Sequence, residues 1–203
     1  EGETHIPAPV EGTTPRVLTR KKDIEQVHIC LAFPGVEQDD EELYPISVMN
    51  NLFGGGMSSR LFQRIREEMG AAYSVYSFPS TYTNCGTFTV YAGTSPETAQ
   101  QVADELLRQI RLLRDGGVTQ EEFDMAKEQL KVSYVLGLES SSARMSAIGR
   151  SKLLRGHAVD PQDVIRKIEA VTKEDVERAA HRMFGMPFSA SAVGRNIDGL
   201  KLL

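Results

Sequence analysis

The sequence has little cysteine, no long apolar run and no excess of basic residues. Its 203 residues include two cysteines and no tryptophan, which excludes a disulfide-rich scaffold. No apolar run approaches the roughly 20 residues that a membrane-spanning helix needs, so we expect no membrane partner. The 23 basic and 28 acidic residues give a net charge of −5. Because nucleic-acid-binding surfaces are usually basic, we also expect no nucleic-acid partner.

Histidine and cysteine are too scattered to predict a metal or nucleophilic site. The histidines are His5, His28, His157 and His181. None has a second histidine or cysteine at ligand spacing, and a zinc site needs three or four clustered ligands, so we expect no metal ligand and no bound cofactor in this chain. Cys30 and Cys85 lack a Cys-x-x-Cys context and are predicted to be buried, inert thiols. Two such thiols fit a reducing cytoplasm, which is the expected location.

The chain is predicted to consist of a linker followed by one domain. Residues 1–22 contain three prolines and no hydrophobic periodicity, so they are predicted to form an extended interdomain linker, and residues 23–203 the domain. The chain opens at Glu1 without an initiator methionine, and we therefore expect a fragment of a longer polypeptide.

Hydrophobic patterning predicts a few strands and a long helical stretch. Apolar residues alternate over 25–34, with Val27, Ile29, Leu31 and Phe33 on one face. Residues 72–82 and 86–93 are predicted to form a hairpin, and 188–193 a returning strand. Helices are predicted to begin near Asp39, Ser58 or Ser59, Pro96, Thr119, Ser140, Asp160 and Thr172. In the helix that begins near Ser140, the spacing predicts that Met145, Ile148 and Leu153 face inward. This order predicts an α+β fold, an antiparallel or mixed sheet with helices packed on one face.

Three consecutive glycines, Gly54, Gly55 and Gly56, separate the first two predicted helices. Glycines before a helix can expose backbone amides to an anion. The two common nucleotide-binding glycine patterns are absent. The alternatives are a flexible turn and a mobile loop that borders a cleft.

Arg66 and Tyr73 form the most suggestive polar pair. Arg66 lies in the last turn of the second predicted helix, Gly70 forms the corner, and Tyr73 begins the following strand. A guanidinium and a phenol on one side of a sheet edge could stabilise a developing oxyanion. Spacing alone favours simpler roles, because arginine stabilises a helix C-terminus and tyrosine packs well in strands.

A longer stretch of sequence resembles a known family. Residues 52–76 include Gly-Gly-Gly-Met-Ser-Ser-Arg-Leu-Phe at 54–62, and they are read together with residues 119–127 and 151–156. These segments resemble the C-terminal half of the pitrilysin-type, or M16, zinc peptidases, and in particular bacterial members similar to the mitochondrial processing peptidase. The resemblance extends from about residue 25 to 193 and implies a LuxS/MPP-like metallohydrolase fold.

The resemblance also implies a role for the Arg/Tyr pair. In that family, two similar halves close on a peptide, and the first half binds zinc through an inverted His-x-x-Glu-His motif. The second half contributes an arginine and a tyrosine, which match Arg66 and Tyr73 here. These two residues are expected to bind the substrate backbone and stabilise the oxyanion, and Gly54, Gly55 and Gly56 are expected to lie in a substrate-binding loop near the chamber opening.

This sequence departs from the complete family pattern because it has no His-x-x-Glu-His in either orientation. One hypothesis is therefore the inactive half of a zinc endopeptidase, with the zinc-binding N-terminal half and peptides as partners and self-association as a homodimer possible. The alternative is a noncatalytic scaffold or partner subunit that binds peptides or another subunit. A third hypothesis is an unrelated ligand-binding α+β domain, which would require the long match to the M16 motif to be a coincidence.

Overall fold

The structure, a computed structural model, describes Val10 and residues 14–203 and consists of a mixed sheet covered by helices. Residues 1–9 and 11–13 of the predicted linker lie outside the described residues. The strands are β1 (Val17–Lys21), β2 (Val27–Pro34), β3 (Ala72–Thr81), β4 (Gly86–Thr94) and β5 (Ser189–Gly194). The helices are α1 (Leu43–Phe53), a π-helix (Phe62–Glu68), α2 (Ala99–Arg114), α3 (Gln120–Gly137), α4 (Ser141–Arg155), α5 (Pro161–Ala170) and α6 (Lys173–Phe184).

The five strands form one sheet in the order β1-β5-β2-β4-β3. β1 pairs with β5 in parallel, and the other neighbours are antiparallel. The predicted α+β fold with a mixed sheet is thus confirmed, and the predicted hairpin is the β3–β4 pair. Strand β3 is the last strand at one end of the sheet, so the residues that follow the π-helix lie at an edge.

Strand β1 differs from the sequence-based prediction. Residues 17–21 were expected in the extended linker, whereas they pair with Ala190–Gly194 of β5. All five β1 residues are exposed, which explains the missing hydrophobic alternation: backbone hydrogen bonds, rather than burial, hold this strand. The division into linker and domain otherwise stays a prediction.

The two faces of the sheet differ in burial. Val27, Ile29, Leu31 and Phe33 of β2 are buried, as predicted, while the intervening residues are half-buried. Helices cover the buried face. Phe184 of α6 lies at the centre of the aromatic cluster between these helices and the sheet. The Phe184 ring lies edge-on to the rings of Phe33 and Phe88, at centroid distances of 5.0 and 5.7 Å. This contact joins α6 to β2 and β4. None of the described helices covers the opposite face, which is called the open face below.

The predicted helix starts are set by side-chain caps. Thr119 and Glu122 form a capping box at α3, and Thr172 and Asp175 form another at α6. The Ser140 hydroxyl accepts a hydrogen bond from the Ala143 amide at the start of α4. These contacts confirm the predicted starts, since each satisfies a backbone amide that the helix leaves unpaired.

Helix α4 was predicted to turn Met145, Ile148 and Leu153 inward, and that prediction is wrong. These side chains are 69%, 55% and 86% exposed. The helix is held mainly at its C-terminal end, where Ser151 donates to the His157 carbonyl and Arg155 pairs with Asp39 at 2.8 Å. Helical spacing tells which residues share a face, but not whether another element covers that face.

Candidate functional site

The candidate site begins with the π-helix that carries Arg66. Its wider turn is marked by the hydrogen bond from the Met69 amide to the Arg64 carbonyl, at 3.2 Å. Such turns are rare and often occur at functional sites. Gly70 follows with a φ of +58°, a left-handed conformation that glycine adopts without strain. Gly70 is therefore the corner that the sequence predicts, but the π-helical turn was not predicted.

The start of this helix agrees with the sequence-based prediction of Ser58 or Ser59. Helical residues begin at Arg60, and the Ser59 carbonyl accepts a hydrogen bond from the Gln63 amide at 2.9 Å. The π-helical segment that follows has no side-chain cap at Leu61. The Ser59 hydroxyl donates instead to the Gly56 carbonyl at 2.6 Å, and the Ser58 hydroxyl pairs with Gln129 of α3. Both serine hydroxyls thus donate to acceptors outside the helix and stabilise the loop before it.

Arg66 presents an exposed guanidinium at this corner. The side chain is exposed, and its guanidinium carbon lies 4.9 Å from the centroid of the Phe62 ring, one turn earlier. Within residues 14–203, no carboxylate forms an ion pair with Arg66, whereas Arg64, two residues earlier in the sequence, has two such partners. The hydrogen-bond donors of Arg66 are therefore available to a ligand.

Tyr73 lies in a β-bulge at the start of β3. Ala72 pairs with Thr94 and Ser74 pairs with the adjacent Gly93, so Tyr73 is an extra residue without a cross-strand partner. Its side chain is 61% exposed. Bulges re-aim side chains and are frequent next to active sites. In the part of the chain that the structure describes, no hydrogen bond joins Tyr73 to Arg66, so both groups keep free donors.

A buried carboxylate fixes the π-helix to α2. Glu105 accepts hydrogen bonds from Arg108 at 2.6 Å, from Gln109 at 2.8 Å and from Arg64 of the π-helix at 3.0 Å. The Arg108 hydrogen bond, with those of Gln109 and Arg64, outweighs burial and lowers the pKa of Glu105 from 4.5 to about 2. Glu105 thereby holds the element that presents Arg66.

Glu105→Gln is expected to lower the free energy of unfolding by about 1–3 kcal/mol at neutral pH, because it weakens charge-assisted hydrogen bonds to a buried acceptor. The folded-state pKa of Glu105 is lowered, so its contribution is present above pH 4.5 and is lost as the pH falls toward 2. Urea unfolding between pH 7 and pH 2.5 measures this difference. Glu121→Gln, at an exposed position, is the control, and an equal loss in both variants would contradict the assignment.

The three glycines of the predicted substrate-binding loop lie in different environments. Gly54 is buried, and a Cβ there would lie 2.4 Å from the Ser77 amide nitrogen of β3. The Ser77 amide donates to the Gly54 carbonyl at 3.1 Å. Gly55 and Gly56 are exposed. Gly54 thus has a clear packing role against β3, and substrate contact by Gly54, Gly55 and Gly56 stays a prediction.

Arg60 fixes the other end of this loop to the start of α3. It forms a two-fold pair with Glu122, at 2.6 and 2.7 Å, and also donates to the Gly117 carbonyl. Burial raises the pKa of Glu122, but the hydrogen bonds from Arg60 and from the Thr119 backbone outweigh it and lower the pKa to about 2. The loop before the π-helix is therefore held at both ends.

A polar cluster on the open sheet face was missed by sequence reasoning. The Nδ1 atom of His28 lies 2.6 Å from the Tyr91 hydroxyl, and the Ser74 hydroxyl also hydrogen-bonds Tyr91. These residues lie on β2, β4 and β3. Periodicity could place each on the open face, but only the strand register brings them together next to Tyr73.

The remaining candidate ligands do not form a metal site. Among residues 14–203 and Val10, no group of three His, Cys, Asp or Glu side chains is arranged to hold a metal ion. The Nδ1 atoms of His157 and His181 lie within hydrogen-bond distance of the carbonyl oxygens of Arg155 and Arg114. His5 lies outside the described residues.

The two cysteines are half-buried rather than buried as predicted. Burial raises the pKa of the Cys30 thiol, although a hydrogen bond with Ser191 opposes this. A raised thiol pKa disfavours a nucleophilic thiolate. As for the membrane, none of the helices in the described residues combines the length and apolar character that a bilayer span requires.

Comparison with known proteins identifies relatives for nearly the whole chain. A protein of Bacillus subtilis named "Uncharacterized zinc protease YmxG" is 40% identical over 176 residues, which are 87% of this chain and 43% of that protein. A Streptomyces coelicolor protein, "Uncharacterized zinc protease SCO5738", is 41% identical over 88% of this chain and 39% of that protein. The chain thus spans less than half the length of these relatives.

Solved structures share the fold. A structure described as "peptidase M16 inactive domain from Pseudomonas fluorescens" has a TM-score of 0.81 and 23% identity, over 93% of this chain and 46% of that one. A Helicobacter pylori protein described as a protease has a TM-score of 0.82 and 20% identity, over 95% and 48%.

Fold and relatives together define a domain of the peptidase M16 type. The family described as "Peptidase M16 inactive domain" matches residues 3–130. The chain belongs to the peptidase M16 family and is one of its C-terminal domains.

Proposed function

We propose that this chain is the substrate-binding and oxyanion-stabilising half of a zinc endopeptidase, and that it is inactive alone. Its partner is a zinc-binding N-terminal half, and its substrates are peptides. The family and the names of the relatives support the general activity. The single observation that supports the role of this half is the corner at Gly70, where the side chains of Arg66 and Tyr73 are exposed and no described carboxylate pairs with Arg66.

The chemistry of this corner suits a peptide carbonyl that gains negative charge. When the carbonyl carbon becomes tetrahedral, its oxygen becomes an anion that accepts hydrogen bonds more strongly. The Arg66 guanidinium supplies charge and several N–H donors, and the Tyr73 phenol supplies one O–H donor. Since the π-helix is anchored through Glu105 and the bulge is part of the sheet, both donors are held before substrate binds.

Zinc does not fit the donors that the described residues offer, and we assign it to the other half. The described histidines are separated and use their Nδ1 atoms in contacts within the fold. The metal would contribute Lewis-acid chemistry from the facing half.

The purified chain is expected to bind no zinc and to show no zinc-dependent proteolysis. A zinc site needs at least three clustered ligands, and the described residues offer none. Elemental analysis after dialysis against zinc should give far less than one zinc per chain, and a quenched fluorescent peptide should not be cleaved faster with zinc than with chelator. One equivalent of retained zinc with peptide cleavage would contradict the proposal.

The direct test of the proposed function uses the complete polypeptide that contains this chain. Zinc-dependent peptide cleavage by that protein, lost when the zinc is removed and restored when it is returned, would support the proposal. A complete protein that binds a peptide or a second subunit without cleaving any peptide in a diverse library would favour the other candidate.

The second candidate is a noncatalytic scaffold or partner subunit, which would bind another subunit or a second copy of itself as a homodimer. The observation that favours it is the exposed apolar side of α4, which includes Met145, Ile148 and Leu153. Such apolar surface often contacts another protein. Retention of both Arg66 and Tyr73 favours the peptidase instead. We place either protein in the cytoplasm.

A further inference from the structure

A row of three hydrogen-bonding side chains crosses three strands on the open face of the sheet. It runs from His28 on β2, through Tyr91 on β4, to Ser74 on β3. The ring of Tyr91 also packs against that of Tyr76, with a centroid distance of 4.8 Å. The hydroxyl of Tyr91 is the central member, because it contacts both other residues.

Two of the side chains of this row lie beside Gly93, next to the bulge. Gly93 of β4 pairs with Ser74. A Cβ on Gly93 would lie 2.9 Å from the Ser74 hydroxyl, 3.0 Å from the Gln26 side-chain oxygen and 3.1 Å from the Tyr91 hydroxyl. Three polar groups therefore occupy the space that a side chain at position 93 would need, and they fix Ser74 against β4.

Fixing Ser74 also constrains Tyr73. Tyr73 is the extra residue between the Ala72–Thr94 and Ser74–Gly93 pairs. Strand β3 is at the end of the sheet, so within the described residues β4 alone pairs with it. A bulge at an edge strand depends on such contacts for its direction. The side chain of Tyr73 is thus aimed from a backbone that Tyr91 helps to hold.

We propose that Tyr91 is a positioning residue, supported by His28, that acts through Ser74 to aim the Tyr73 hydroxyl at the reacting carbonyl. This inference rests on the proposed function of Tyr73. Tyr91 does not touch the substrate in this proposal, and its effect on the reaction requires the Tyr73 hydroxyl.

The test is a double-mutant cycle in the complete polypeptide. Tyr91→Phe keeps the ring and removes the hydroxyl, and it is expected to lower kcat about 10-fold with little change in KM, because a small misplacement of a donor affects the transition state most. In a Tyr73→Phe background, the same change should cost less than about 2-fold. Ser74→Ala should repeat this pattern. Tyr76→Phe is the matched control, because it keeps the ring that packs against Tyr91 and, among the described residues, no hydrogen bond of the Tyr76 hydroxyl is seen.

Equal losses from Tyr91→Phe in both backgrounds, or no loss in either, would overturn the proposal. A second measurement separates it from the proposed function. This measurement is an NMR spectrum of the chain, whose six tyrosines are labelled with ¹³C. The chemical shift of the Tyr73 ring should change in Tyr91→Phe and in Ser74→Ala but not in Tyr76→Phe. If the Tyr73 chemical shift changes while Tyr73→Phe leaves turnover unchanged, Tyr73 has no catalytic role, but its structural coupling to Tyr91 stands. If the chemical shift does not change, the positioning role fails.

Discussion

Replacing Arg66 with alanine is expected to lower the kcat of the complete peptidase by about 10²–10³, the usual cost of one oxyanion donor. The guanidinium is exposed and has no ion-pair partner among the described residues, so its removal breaks no ion pair within the fold. The loss should therefore fall on the transition state, while the thermal unfolding midpoint changes little. Steady-state kinetics and a thermal melt measure the two effects.

The control for this variant is Arg150→Ala, which removes another exposed arginine from α4. It should leave kcat within about 2-fold, since surface changes away from a site have small effects. Arg66→Lys keeps the charge but loses the planar set of donors, and is expected to fall between wild type and Arg66→Ala. If Arg66→Ala and Arg150→Ala had the same kcat as wild type, Arg66 would have no catalytic role.

Replacing Phe184 with alanine is expected to have the largest effect on stability, with a loss of about 3–5 kcal/mol. Phe184 is 5% exposed, and its ring contacts Phe33, Phe53 and Phe88, which come from β2, α1 and β4. Removal leaves a cavity where α6 meets the sheet. For a chain of this size, the unfolding midpoint should fall by roughly 6–20 °C.

Phe78→Ala is the matched control because it makes the same chemical change on the open face, where Phe78 is 40% exposed. It should cost about 1 kcal/mol or less. Differential scanning calorimetry of this chain compares both variants directly. A similar midpoint for the two would show that the aromatic cluster around Phe184 is not the centre of the core.

Much of the fold could be predicted from local signals. The alternation of Val27 to Phe33 predicts a strand with one buried face, and the box of Thr119 and Glu122 predicts where α3 begins, because both signals are read within a few residues. Strand β1 carries no such signal, since it is fully exposed and depends on pairing with β5, far along the chain.

The candidate site was predicted in part. The motif resemblance identifies Arg66 and Tyr73, and the structure places them on the two sides of the Gly70 corner. The bulge at Tyr73 and the contact of His28 with Tyr91 could not be predicted, because they depend on which residues pair across β2, β4 and β3. The prediction for α4 is wrong for a different reason. Its spacing places Met145, Ile148 and Leu153 as if they faced the core, although these three side chains are exposed among the described residues.

The most direct test of the account is the activity and zinc content of the complete polypeptide that carries Arg66→Ala and Tyr73→Phe together. The proposal assigns zinc to the other half and both oxyanion donors to this one. We therefore expect full zinc occupancy, a KM near that of wild type and a kcat at least about 10²-fold lower. Turnover within a few-fold of wild type at full zinc occupancy would contradict the assignment of this chain as the oxyanion-stabilising wall.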